Sequence, residues 1–127
     1  MTEQPSGGYY PGTAPIDGYG DGGFRFAGMS HRGSLLVLPT GIYAWEATDA
    51  RSLSIASFEQ LIAGKAGIEF VLLGTGLSQV FPSLALRQAF EALDIGLEAM
   101  STGAAARTFN VLLAEGRKVA AALIAVA

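Results

Sequence analysis

Two short glycine-containing segments hold the residues best placed for chemistry. Residues 74–76 (Gly-Thr-Gly) follow the apolar run IEFVLL, and residues 101–103 (Ser-Thr-Gly) follow LEAM. Glycine loops and helix N-termini offer backbone N–H groups to anions, and ligands of open α/β sheets collect beyond the carboxyl ends of the strands. We therefore expect a pocket for a small anion or a nucleotide-like ligand. Its candidate residues are Gly74, Thr75, Gly76, Ser101, Thr102, Arg107 and Asn110.

A purely structural role for these residues is the competing interpretation. The glycines would then only turn the chain, and Arg107 would bind a carbonyl or a carboxylate such as Glu115. The glycine spacing matches neither a Walker phosphate loop nor the complete dinucleotide fingerprint G-x-G-x-x-G. The sequence leaves both interpretations open.

Catalytic and metal-binding patterns are weak. His31 is the only histidine and there is no cysteine. The glutamates that we considered are scattered, without paired or metal-ligand spacing: Glu46, Glu69, Glu98 and Glu115. We therefore expect no catalytic residue, no metal, no cofactor and a protein that is not an enzyme. An unrecognised enzyme that uses residues 74–76 and the helix start at 101–107 is the alternative.

The second segment opens a helix that is predicted to end near Gly116. A hydroxyl of Ser101 or Thr102 can cap its first turn, and glycine is the usual residue after a helix end. Arg107 and Asn110 share one face and are predicted to be free of the core. The apolar residues recur on another face: Ala105, Phe109, Leu112 and Leu113.

Composition restricts the classes of partner. Half of the 127 residues are hydrophobic, 15% are charged and the net charge is −3. Without a basic patch, nucleic-acid binding has no support.

The longest uncharged run, residues 70–86, is interrupted by glycine and proline, so no transmembrane segment is expected. Because few residues are charged, we expect some apolar surface to stay exposed. Such a surface would bind a protein partner or a second copy of the chain.

The N-terminal region differs from the rest of the chain. Residues 1–15 are rich in glycine, proline and tyrosine and are predicted to form a flexible arm, followed by one domain over residues 16–127. No secretory signal or transit peptide is recognised, so the cytoplasm is the expected location.

Hydrophobic periodicity predicts an α/β fold with one domain. Helices flank a mixed central sheet, and a small antiparallel part comes from the N-terminal half. The predicted strands are residues 24–27, 34–38, 42–47, 68–73, 95–100 and 117–126, and the predicted helices are residues 54–63, a helix from Pro82, and the helix that ends near Gly116.

Four motifs in order resemble one protein family. They are YGDGGFRFAG, SLLVLP, IEFVLLGTG and LEAMSTGAAARTFNVLLAEGRKVAAALI, and the resemblance covers residues 16–126. The family includes the mitochondrial complex I assembly factor 3 and the adipogenesis-associated Mth-domain-containing protein. Ala106 stands where relatives often carry cysteine, and Phe109 where many carry tyrosine, so any role of a thiol or phenol there is absent.

The resemblance implies a three-layer α/β fold and a protein that assembles or regulates other proteins. By that analogy the chain is an assembly or adaptor factor for respiratory complex I or another membrane complex. Its partner would be a protein, such as a subunit of that complex, and it would work at the periphery of the inner membrane.

Overall fold

The computed structural model describes residues 8–65 and 67–127. Two short 3-10 turns, Ala50–Ser52 and Ile55–Phe58, precede the first helix. The helices are α1 (Glu59–Ala63), α2 (Leu84–Ala92) and α3 (Thr102–Ala114). The strands are β1 (Gly8–Pro11), β2 (Gly18–Gly20), β3 (Gly23–Phe26), β4 (Met29–Arg32), β5 (Ser34–Leu38), β6 (Gly41–Trp45), β7 (Phe70–Gly74), β8 (Gly96–Met100) and β9 (Val119–Leu123).

A six-stranded mixed sheet forms the centre of the domain, in the order β1-β6-β5-β9-β7-β8. Strand β7 runs parallel to β8 and β9, whereas β5 pairs antiparallel with β6 and β9. The C-terminal segment was predicted as a strand, and β9 is indeed a central strand of this sheet. The predicted α/β fold with a mixed sheet is confirmed.

Both faces of the sheet are buried. In β5, Leu36 and Leu38 contact the side that holds α2 and the 3-10 turns, whereas Leu35 and Val37 contact the side that holds α3. Successive strand residues point to opposite faces, so a strand covered on both sides is apolar throughout. This explains the unbroken apolar run of β5 and gives the three layers.

The second sheet is small and antiparallel, in the order β2-β3-β4. Its buried residues Phe24 and Phe26 join the core on the α3 side. Asp21 has a φ of 52° and Ala27 a φ of 51°, each followed by a glycine with positive φ. Such pairs make the tight turns that match the twist of a hairpin. Strand β3 agrees with the predicted strand 24–27, whereas β2 and β4 were not predicted.

The region predicted as a flexible arm is partly ordered. Gly8–Pro11 pairs antiparallel with β6, and Ala14 is buried in the core on the α3 side. The packed chain thus begins before Ile16, because the open edge of β6 offers partners for backbone hydrogen bonds that sequence periodicity does not reveal. Residues 1–7 of the predicted arm lie outside the described residues.

The predicted helix 54–63 is shorter than expected. Only Glu59–Ala63 is α-helical, and a 3-10 turn over Ile55–Phe58 comes first. Trp45 donates a hydrogen bond of 2.8 Å from its indole nitrogen to the Ser57 carbonyl, which places this turn against β6. Within the described ranges, none of the helices has the length and apolar character needed to cross a membrane.

Candidate functional site

The two predicted segments meet at the carboxyl ends of β7 and β8. The Thr75 amide donates to the Met100 carbonyl at 2.9 Å, and the Thr102 amide donates to the Gly76 carbonyl at 2.8 Å. The parallel pairing of β7 and β8 brings both strand ends to one edge, as predicted. The loop and the start of α3 are therefore bonded directly to each other.

Two threonine hydroxyls hold this junction from inside. The Thr102 side chain is fully buried, accepts from the Gly76 amide at 3.0 Å and donates to the Ile124 carbonyl at 2.7 Å. The buried Thr75 hydroxyl accepts from the Val80 amide at 3.0 Å, and its oxygen lies 2.7 Å from the Ser78 carbonyl. Neither hydroxyl faces an open space.

The glycines of the loop have different roles. A β-carbon at Gly74 would lie 2.9 Å from the Thr102 α-carbon and 3.0 Å from a methyl group of Leu123, so this position has no room for a side chain. Gly76 has a φ of +112°, which side chains disfavour, although the space around it is open. Gly74 thus permits the close approach of β7 to α3.

Ser101 caps α3 as predicted. Its hydroxyl accepts from the Ala104 amide at 3.3 Å, and its φ and ψ of −60° and 156° are those of an N-cap residue. The backbone amides of Thr102 and Ala104 already donate hydrogen bonds within the protein. Fewer N–H groups at this helix start are therefore free to bind an anion than the sequence suggested.

Arg107 and Asn110 both contact the N-terminal segment, at different residues. Asn110 makes two hydrogen bonds of 2.8 Å with the backbone of Ile16. The side-chain nitrogen of Asn110 donates to the Ile16 carbonyl, and the side-chain oxygen of Asn110 accepts from the Ile16 amide. Arg107 is exposed, and its guanidinium lies 3.4 Å from the Tyr19 hydroxyl. The expectation that neither residue is needed for packing is therefore wrong for Asn110.

The seven predicted residues thus divide into two groups. Residues 74–76 join Ser101 and Thr102 at one junction, whereas Arg107 and Asn110 face β2 and the segment before it. The contacts within the chain favour a structural role for most of them. Ligand binding at this junction stays a prediction.

Other reactive side chains do not converge. His31 lies on β4, and its ring nitrogen Nε2 is 2.9 Å from the Ser34 carbonyl. The described parts of the chain bring together no group of three or more histidine or carboxylate residues that could hold a metal ion.

An exposed apolar segment lies beside the junction, and its residues were not among the candidate site residues predicted from the sequence. Leu77 is 82% exposed, Phe81 is 77% exposed and Leu84, at the start of α2, is 59% exposed. The Gln79 side chain donates to the Ala99 carbonyl of β8 at 2.8 Å and helps to fix this loop. We call Leu77, Phe81 and Leu84 the apolar loop surface. Its sequence signal is a set of large apolar residues in a loop without helical or strand periodicity.

The mixed sheet, the small antiparallel sheet and the junction of β7 with α3 define a class of single-domain α/β proteins. The chain belongs to the family described as "Protein of unknown function (DUF498/DUF598)", whose model matches residues 16–124. This confirms the predicted family, since relatives that carry the assembly-factor name match 86% to 91% of this chain.

Three similar proteins illustrate the relationship. An uncharacterised Rhodobacter capsulatus protein is 42% identical over 115 residues, which are 91% of this chain and 87% of that protein. The mouse NADH dehydrogenase [ubiquinone] 1 alpha subcomplex assembly factor 3 is 31% identical over 91% of this chain and 62% of its own length. A crystal structure of a Bartonella henselae protein, described as an outer membrane protein, has a TM-score of 0.86 and 48% identity over 94% of this chain and 100% of that chain.

These relatives are an assembly factor or proteins of unassigned function. The chain spans about three fifths of the length of the mouse assembly factor, at 62%. None of these three relatives is described as an enzyme.

Proposed function

We propose that this protein is a non-enzymatic interaction domain that helps to assemble respiratory complex I or another membrane complex. The observation that carries the proposal is the similarity to assembly factor 3, which extends over 91% of the chain. The family model over residues 16–124 includes all three helices and strands β2 to β9, so the shared part is a folded unit and not a short motif.

The apolar loop surface is the proposed contact for the protein partner. Three large side chains are exposed on one loop and the first residue of α2, and exposed apolar surface supports an interaction site there. The hydrogen bonds of Thr75 and Gln79 hold the loop, so its side chains are presented on a fixed backbone. A preorganised contact loses less conformational freedom on binding than a mobile one.

The absence of paired catalytic groups from the predicted junction is compatible with this role. The polar groups at the junction bond to each other and to the backbone, which is what a structural connection between strand and helix requires. We infer that the protein works at the cytoplasmic periphery of a membrane, because its proposed partner is a subunit of a membrane complex.

Deletion of the gene in the source organism tests the proposed function. We expect the deletion strain to accumulate incomplete intermediates of one membrane complex on native gels, with loss of that complex's activity in isolated membranes. Expression of the wild-type chain should restore assembly. Normal assembly of every membrane complex resolved on the gels, with normal activities in the membranes of the deletion strain, would contradict the proposal.

A further inference from the structure

An open depression of about 650 Å³ lies on the small sheet and reaches Tyr19, whose hydroxyl is 3.4 Å from the Arg107 guanidinium of α3. Strand register places Gly18, Arg25 and Ser30 in one row across β2, β3 and β4. The next row on the same face holds Gly20, Gly23 and Arg32. Three of the six positions are thus glycines, and two are arginines.

The glycines of β2, Gly18 and Gly20, leave the edge of this face without side chains. A β-carbon at Gly18 would lie 3.9 Å from the Cβ and Cδ atoms of Arg25, so the stem of Arg25 lies beside Gly18. Nothing lies within 4 Å of a β-carbon built at Gly20. The backbone at Gly20 is therefore open to a ligand, whereas Gly23 is buried and the His31 carbonyl oxygen covers the place where a side chain would lie.

Arg25 and Arg32 are on diagonal positions of neighbouring antiparallel strands. Such positions are about 7–8 Å apart, so two arginine side chains that start from them can both reach one ligand. Both residues are exposed. In the described part of the chain the ion pair found is that of Arg117 with Glu69, so no carboxylate lies within 4 Å of either guanidinium.

We propose that this face binds a phosphate group between Arg25 and Arg32, with the Ser30 hydroxyl as a further donor. Guanidinium groups bind phosphate oxygens in paired, charge-assisted hydrogen bonds. Asp17 and Asp21 also line the depression. Asp17 directly precedes β2, and Asp21 lies in the turn after it. Their negative charges offset part of the charge of the arginines and so disfavour an extended polyanion, which leaves one compact phosphate group in direct contact with the guanidinium groups as the proposed occupant.

The site is tested by titrating the isotope-labelled protein with inorganic phosphate at constant ionic strength and following backbone amide shifts by NMR. We expect saturable shifts confined to residues 18–32. Arg25→Gln and Arg32→Gln should each weaken binding about tenfold, as the loss of one charge-assisted bond does. The matched control Arg87→Gln, an exposed arginine of α2, should bind as the wild type does. Preserved spectral dispersion shows that each variant is folded.

A second arm identifies the source of the phosphate. Vesicles of phosphatidylcholine with phosphatidic acid are sedimented with the protein, beside vesicles of phosphatidylcholine alone. Binding in either arm that depends on Arg25 and Arg32 supports the site, and the arm in which it occurs distinguishes a lipid headgroup from a soluble phosphate. Shifts that do not saturate, or that persist unchanged in both arginine variants, would overturn the proposal. Binding of an acidic peptide in place of phosphate would overturn it as well.

Discussion

Asn110 on α3 and Ile16, 94 residues earlier in the chain, are joined by two hydrogen bonds of 2.8 Å. The side-chain amide thus pairs with both backbone polar groups of one residue, in the way that a neighbouring strand would. Ile16 itself is buried among core residues on the α3 side. Asn110 therefore anchors the segment that leads into the small sheet.

Asn110→Ala should lower the free energy of unfolding by about 1–3 kcal/mol, because the amide and carbonyl of Ile16 lose their partner. Urea denaturation followed by circular dichroism measures this change. A difference below about 0.5 kcal/mol from wild type would mean that water replaces both bonds without cost.

Arg107→Ala is the contrasting variant on the same helix. Arg107 is exposed and its one described hydrogen bond is long, at 3.4 Å, so we expect stability within about 0.5 kcal/mol of wild type. If the predicted site at α3 binds a ligand or partner, the variant should lose that binding while its melting temperature stays unchanged. A thermal-shift screen beside a pull-down tests this. A fall of many degrees in melting temperature would make Arg107 a structural residue.

Thr102→Val should be among the most destabilising single changes at the junction. The substitution keeps the shape of the side chain but leaves the Gly76 amide and the Ile124 carbonyl without their partner. We expect a loss of at least about 2 kcal/mol. Thr108→Val, at a half-buried position of the same helix, is the control and should have a smaller effect. Equal effects for the two variants would show that the buried hydroxyl does not stabilise the junction.

A chain that begins at Ile16 tests the predicted boundary between arm and domain. It lacks β1 and leaves the edge of β6 open, while five strands of the large sheet and all three helices remain. We expect it to fold, with a lower urea midpoint and a greater tendency to aggregate, since an uncovered edge strand pairs with other chains. A chain that begins at Gly8 should match the full-length protein. Equal midpoints for both truncations would show that β1 contributes no stability.

Local periodicity was sufficient to predict most of the fold. The apolar spacing of α3 and the glycine stop after it correctly predicted a helix followed by a strand, because both signals act within a few residues. Strands β2 and β4 were missed, since they are short, polar or glycine-rich and depend on pairing with β3. Long-range pairing of this kind leaves no periodic pattern in the sequence.

The candidate site was predicted less completely for the same reason. The meeting of residues 74–76 with the start of α3 follows from parallel strands, so it could be predicted. The bond from Thr102 to Ile124 and the pairing of Asn110 with Ile16 could not, because the partners are 22 and 94 residues apart. The sequence indicated which residues lie on each helix face, but not which distant backbone groups hydrogen-bond to them.

The apolar loop surface allows the proposed function to be tested at a single residue. Phe81→Ser replaces an exposed side chain, so we expect the fold and the melting temperature to be retained. Val111→Ser is the matched control, because Val111 is also exposed, at 58%, but lies on α3.

Affinity purification of the tagged chain from detergent-solubilised membranes of the source organism, with mass spectrometry of the bound proteins, tests whether the protein binds a membrane complex through the apolar loop surface. We predict that the wild type and Val111→Ser enrich the subunits of one respiratory or other membrane complex. Phe81→Ser should recover about tenfold less of them, as loss of an aromatic anchor at an interface does. Recovery of no membrane-complex subunit by the wild type, or equal recovery by Phe81→Ser, would contradict it.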